Sequence, residues 1–232
     1  DRTANDLAFS GLVDVYYELN FNHPASRVSQ LRNFDVAAGQ FSLNMLKLTL
    51  ERAAEPAGFR VDLGFGKAFE IIHAGEASPA AVRYVEQAYV SLKPRQAKGL
   101  QLDLGKFVTS AGAEVIETDA NWNYSRSILF AWAIPYYHAG VRAAAPLGRF
   151  TLGAQLVNGW NNVEDNNTGK TIGLTGSFSA GGVSWSHAYY AGPEKSEQNR
   201  GRRHLYDTTF LARARKASFY LNLDYGLERG AT

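Results

Sequence analysis

Apolar and polar residues alternate with a period of two along most of this chain, and few folds accept that pattern over such lengths. From Phe9 the odd positions run Phe9, Gly11, Val13, Val15, Tyr17 and Leu19, against Ser10, Leu12, Asp14, Tyr16, Glu18 and Asn20. The same beat returns in Phe59-Val61-Leu63-Phe65, Leu100-Leu102-Leu104, Phe150-Leu152-Ala154-Leu156, Ile172-Leu174-Gly176-Phe178 and Phe219-Leu221-Leu223-Tyr225-Leu227. Sustained alternation is a strand signal, because successive side chains of a strand point to opposite faces. Eleven strands are predicted, at 7–20, 37–52, 58–68, 82–93, 99–109, 134–145, 149–160, 170–180, 182–191, 204–215 and 217–229. One phase shift, between Phe41-Leu43 and Leu46-Leu48-Leu50, predicts a bulge near Asn44-Met45.

The breaks between strands are of two kinds. Those at 53–57, 146–149 and 216–217 are short, and those at 21–34, 161–169 and 192–203 are long and polar. Residues 110–133 have no period-two reading and form an insertion after the fifth strand. Its Trp and Phe content predicts that it packs rather than hangs free, with a short helix within 121–130.

Composition decides what the alternation can mean. With 45% hydrophobic and 20% charged residues, the 232-residue chain is not a disordered one. The absence of cysteine excludes disulfides, thiol catalysis and thiolate-held metal. A formal charge of +2 does not suit a dedicated nucleic-acid binder. The longest apolar run, 128–137, contains Pro135 and falls short of the roughly 20 residues that a spanning helix needs. Residues 1–5 have no apolar signal core, so any export signal is expected to be already absent. The mean hydropathy of −0.26 would normally mean a water-soluble domain. Averaging, however, conceals strands that are apolar on one face and polar on the other.

Two architectures remain. In a sandwich the apolar faces of two sheets meet; in a membrane barrel the apolar face meets lipid and the polar face lines a lumen. Strand lengths near the roughly 9–11 residues that cross a bilayer favour the barrel, as do aromatic residues at strand ends (Phe9, Tyr17, Phe21, Phe41, Phe59, Trp160, Tyr189, Phe219).

Ordered strings then bring a family into view. They are Leu104-Gly105-Lys106-Phe107-Val108-Thr109, Gly112-Ala113-Glu114-Val115-Ile116-Glu117, Asn121-Trp122-Asn123-Tyr124-Ser125-Arg126-Ser127, Ala133-Ile134-Pro135-Tyr136-Tyr137-His138 and Val157-Asn158-Gly159-Trp160-Asn161-Asn162. With Gly11-Leu12-Val13-Asp14-Val15-Tyr16-Tyr17 and Asp224-Tyr225-Gly226, they resemble the OmpL-like β-barrel porin-2 family of Gram-negative outer membranes. The resemblance implies an all-β, antiparallel transmembrane β-barrel over residues 1–232, short turns at one end and long loops at the other. It also implies an outer-membrane location and a water-filled channel for passive diffusion of small hydrophilic solutes or ions. An odd strand count departs from the even number of such barrels and points to a barrel incomplete at its C-terminus. Expected partners are outer-membrane lipid, lipopolysaccharide, small hydrophilic solutes and other copies in a trimer, with no nucleic acid and no cofactor.

The predicted pore lining is Asp14, Glu18, Lys47, Arg60, Asp62, Gln87, Asp103, Arg142, Gln155, Asn222 and Asp224, whose opposed charges would tune ion selectivity or simply pair across neighbouring strands. Glu114, Glu117, Asp119 and Arg126 are the candidates for a constriction if the insertion folds inward. Arg200, Arg202, Arg203 and His204 form a basic cluster that suits lipopolysaccharide phosphates or a plain solvated face.

Enzyme signatures are missing. Gly169-Lys170-Thr171 resembles the end of a phosphate loop, but Glu164 stands where that motif requires glycine. The five histidines show neither a pair at i, i+4 nor a zinc-protease motif, and no Gly-x-Ser-x-Gly elbow occurs. The alternatives to a porin are a soluble all-β carbohydrate-binding module using Trp122, Trp160 and Trp185, or a closed outer-membrane barrel with a structural or adhesive role.

Overall fold

The computed structural model describes residues 6–76 and 78–229, so the termini at 1–5 and 230–232 lie outside the described residues. Eleven strands follow one another in a single antiparallel meander: β1 (Ala8–Tyr17), β2 (Phe41–Arg52), β3 (Ala57–Phe65), β4 (Val85–Leu92), β5 (Gln101–Val108), β6 (Tyr137–Leu147), β7 (Phe150–Val157), β8 (Thr171–Ala180), β9 (Val183–Gly192), β10 (Arg203–Arg213) and β11 (Ser218–Glu228). Each pairs with its neighbour in sequence. The expected bulge is present, since the register of β1 on β2 jumps between Asp14–Met45 and Val15–Leu43 and leaves Asn44 extra. Tight turns at 148–149 and 181–182 share one end of the sheet, and the long connections 18–40, 66–84, 109–136, 158–170 and 193–202 share the other.

The expected closed transmembrane barrel is corrected by this topology. The sheet order begins at β1 and ends at β11, with no ladder between them. The reason is directional. Ten reversals of an eleven-strand meander leave β1 and β11 running the same way, so closure would need a parallel ladder unlike the other ten pairings. No helix among the described residues is long and apolar enough to cross a membrane. That statement says nothing about strands.

Burial across the sheet is inverted relative to a water-soluble protein. Val13, Leu104 and Leu223 are 66%, 61% and 56% exposed, and Val90, Leu152, Ile172, Leu174 and Leu221 share their face. The opposite face carries Asp14, Lys47, Asp62, Gln87, Asp103, Gln155 and Asp207, all buried.

Loop residues meet Asp14, Lys47 and Gln155 there, and side chains of neighbouring strands meet Asp62, Asp103 and Asp207. The insertion 109–136 contains a 3-10 turn at Thr118–Ala120 and a single π turn at Leu129–Ala133. Its backbone N–H at Ala113 donates to Asn222 on β11 (3.1 Å), while Thr118 and Tyr124 donate to Asp14 on β1 (3.1 and 2.9 Å). One segment thus ties both edge strands, so the sheet curls around it without closing.

An apolar core lies at the long-loop end, built from Phe34, Met45, Phe69, Ile72, Phe130, Ile134, Tyr136, Tyr137, Tyr190 and Leu205. Helix α1 (Lys67–Ile72) lays Phe69 over Gly64, where a Cβ would stand 1.9 Å from the ring. Gly64→Val should therefore evict Phe69 and cost about 3 kcal/mol. A lowered urea midpoint together with new proteolytic cuts within 67–84 would show it, and an unchanged midpoint would refute it.

Candidate functional site on the polar face

Alternation on β2, β3 and β4 sets Lys47, Asp62 and Glu86 together, and the insertion adds Glu117. Lys47 Nζ lies 3.1 Å from Asp62 and 2.6 Å from Glu86 and also pairs with Glu117. The three carboxylates lie within 4.8 Å of one another, a spacing that would suit a metal ion. The Lys47 ammonium already stands among them, however, within ion-pair distance of all three, and so fills the place that an ion would take while offsetting one of their three charges. Arg60 extends it, donating to Asp62 at 3.0 Å and to Glu51 at 3.1 Å, and Gln87 donates to Asp62 at 2.6 Å.

On β5 and β6, Asp103 accepts from Arg142 (2.8 Å), Ser91 (2.6 Å) and Gln101 (2.9 Å). The Arg142 guanidinium also lies over the rings of Phe107 and Tyr89. On β1, Asp14 is satisfied by neutral donors from Asn44, Thr118 and Tyr124. On β10 and β11, Asp207 and Asp224 stand opposite each other, with Asn222 donating to Asp207 at 2.7 Å.

Nearly all of the residues predicted as a pore lining share this face, but most are committed to one another. Gln155 donates to Ser110 at 3.0 Å. Glu18 lies just beyond β1 and accepts from Ser29 at 2.6 Å. Of the constriction candidates, Glu117 joins the Lys47 cluster and Glu114 accepts from Ser127. Arg126 is buried, stacked on Phe34 and bonded to the carbonyls of Val115, Ile116 and Tyr124, so it staples the insertion internally. Asp119 is exposed. Trp122, Trp160 and Trp185 are apart: Trp122 meets Tyr220, Trp160 takes Arg203, and Trp185 bonds Thr208.

A second buried group was not predicted. His73, just after α1, accepts from Lys106 Nζ at Nε2 (2.7 Å) while its Nδ1–H donates to the Phe69 carbonyl (3.0 Å). Burial first, and then the neighbouring Lys106 charge, push the imidazole down to about 4. Beside it, Glu76 accepts from Tyr137 (2.6 Å) and from the backbone N–H groups of Ser78 and Val163 (both 3.1 Å). Burial pushes the Glu76 carboxyl up, but these donors outweigh it and hold the group below its ordinary value. Glu194, accepting from Thr171 and the Trp160 N–H, is pushed up by burial.

Fold and polar face together define an open antiparallel β-sheet protein, with large apolar side chains exposed on one face and a buried polar network on the other. The chain belongs to the family described as "Putative beta-barrel porin-2, OmpL-like", matched over residues 6–232. That family is not one of enzymes, and its place, like that of this chain, is the bacterial outer membrane. Among curated proteins none matches. Among solved structures, a loop-L8 deletion mutant of OmpT, an outer membrane protein of Vibrio cholerae, is similar at 12% identity and TM-score 0.46, covering 97% of this chain and 83% of that one. In-vitro folded OmpT of Vibrio cholerae is similar at 12% identity and TM-score 0.40, covering 98% and 77%.

The expected function is corrected as well. A porin channel requires a closed wall around water. Here the wall is open between β1 and β11, and the insertion occupies the face that would line the channel.

Proposed function

We propose that this chain has a structural role in the outer membrane, as a curled sheet that seats its apolar face in lipid and carries its own plug on the polar face. One observation carries the reading: large apolar side chains of successive strands stand outward on the same face, including Val13, Leu104, Ile172 and Leu223, each more than half exposed. A patch of that extent on a water-soluble monomer would drive association, whereas hydrocarbon is a matched solvent for its side chains; the unpaired backbone edges of β1 and β11 must then be covered by other strands where they meet lipid. Lipopolysaccharide is the fitting partner at the long-loop end. Arg200 and Arg202 are exposed there, while Arg203 is taken by Glu228 at 2.9 Å and by Trp160.

Trp185 gives the test, since it is half exposed on the apolar face. In vesicles of acyl-chain-brominated phospholipid, a variant keeping only Trp185 (W122F/W132F/W160F) should lose most of its fluorescence. A variant keeping only Trp160 should lose little. Equal quenching of both, or recovery of a monodisperse protein without detergent, would refute the lipid-seated sheet.

A further inference from the structure

We infer that the turn end of the polar face is a binding site for a neutral, polyhydroxylated ligand of monosaccharide to disaccharide size. Two adjoining cavities of about 440 and 350 Å³ open there and share Gln101 in their walls. Each falls in the range of ligand pockets, roughly 300–1,000 Å³, and far exceeds what one water fills.

The chemistry of the smaller cavity is laid out in register. Asp103, Arg142 and Gln155, which line it, are direct cross-strand partners in one row over β5, β6 and β7, and the row continues on β4 to Ser91 in the wall of the larger cavity. The next row is Gln101, Ala144, Gly153 and Thr175, whose small central residues make a recessed floor. A Cβ on Gly153 would stand 2.4 Å from Thr175 Oγ1, so this floor is already at its minimum size.

Charge in the row is balanced. The Arg142 guanidinium is engaged by Asp103 through Nε and rests on aromatic rings, and no described residue takes its two Nη groups. Beside it, Gln155 is 6% exposed and spends its Nε2 on Ser110, which leaves Oε1 buried without a donor. A buried acceptor of that kind costs free energy until something donates to it.

The two vacancies define the ligand. Gln155 Oε1 lacks a donor, and the Arg142 Nη groups, on a side chain 25% exposed, are open to an incoming acceptor, from neighbouring strands about 5 Å apart. A phosphate or carboxylate answers the second but meets Asp103 and offers nothing to Gln155. An ammonium answers the first but meets Arg142. Adjacent hydroxyls on a carbon chain or ring satisfy both, because each hydroxyl donates and accepts. The neutral Arg60–Glu51 pair and Tyr89 in the larger cavity continue the same character and leave room for a second ring. This inference does not depend on how the apolar face is solvated.

The experiment is titration calorimetry on the whole chain in a non-glycosidic detergent such as lauryldimethylamine oxide, with glucose, maltose and sorbitol against gluconate, inorganic phosphate and choline. At least one neutral probe should bind saturably and one-to-one, and the charged probes should not compete with it. Gln155→Leu should weaken that binding about tenfold, the worth of one hydrogen bond to a buried group. Ala144→Leu should abolish it by filling the floor. Unchanged far-UV circular dichroism identifies variants that have kept the sheet, and Ala144→Leu stands in should Gln155→Leu fail to fold. Preference for gluconate, phosphate or choline, binding by neither class, or wild-type affinity in both folded variants would overturn the assignment. Trp185 quenching is a separate readout, so failure here and failure of the lipid-seated sheet are distinguishable.

Discussion

Lys47→Met is expected to destabilise the fold by about 3–5 kcal/mol, because it leaves buried carboxylates facing one another without their cation. Asp62 and Glu86 are 0% and 1% exposed, and neither can turn to water when the ammonium goes. Asp62 keeps Gln87 and Arg60, so Glu86 is the group most exposed to the loss; its oxygens have no other hydrogen-bond donor among the described residues. A second consequence follows from topology. Lys47 on β2 also holds Glu117, so the insertion loses a tie to the sheet and should become open to protease within 110–127. Urea midpoints in detergent micelles read the first effect and limited proteolysis the second. Adding Glu86→Gln to Lys47→Met removes one uncompensated charge and should restore part of the loss. A Lys47→Met midpoint within experimental error of wild type would mean that water reaches the cluster, and would refute this account.

The strands were legible in the sequence because alternation is a local property. Each predicted strand overlaps an observed one, and even the extra residue at Asn44 showed as a change of phase. Closure was legible only through the odd strand count, which pointed to an incomplete barrel, and not through any pairing signal. Whether β1 meets β11 depends on a pairing between residues over 200 positions apart, which leaves no periodic trace in either strand. The apolar core was legible only in part: the aromatic content of 110–133 marked that insertion, with Phe130, as packed, but Phe34 and Phe69 come from connections with no period at all.

The polar face divides along the same line. Lys47, Asp62, Asp103, Arg142 and Gln155 could be placed on one face by counting, and the registers keep them there. Glu86 could not, because it is the extra residue where the register of β3 on β4 shifts between Asp62 and Leu63. Lys106 follows Gly105, whose φ of 140° breaks the alternation and leaves Lys106 and Phe107 buried side by side. The signal for both was present as two neighbouring polar residues, Glu86-Gln87, and as a glycine inside a strand. Each marks a place where the sheet departs from simple pleating to receive the loops.

Stability should fall as the pH drops from about 6.5 to about 4, and His73 should account for up to about 3 kcal/mol of that fall. The imidazole is neutral in the fold and titrates lower there than in the unfolded chain. Between the two values the unfolded state binds the extra proton. The contribution is therefore complete above about 6.5 and is lost as the pH falls through that window towards 4. The structural cause is specific. A proton on Nε2 would set an imidazolium 2.7 Å from the Lys106 ammonium, with Arg83 also near and Glu76 the compensating charge. The segment carrying α1 is the part expected to leave the sheet, because His73 joins it to β5. His73→Gln keeps an acceptor for Lys106 but has no proton to gain, so its midpoint should change less with pH. The two proteins should converge near pH 4 even if the variant is weaker at pH 7.5. Carboxylates titrating in the same range affect both alike, which leaves the difference between the curves as the measure of His73. Parallel curves from pH 7.5 to 4 would show that this buried histidine does not couple folding to protons.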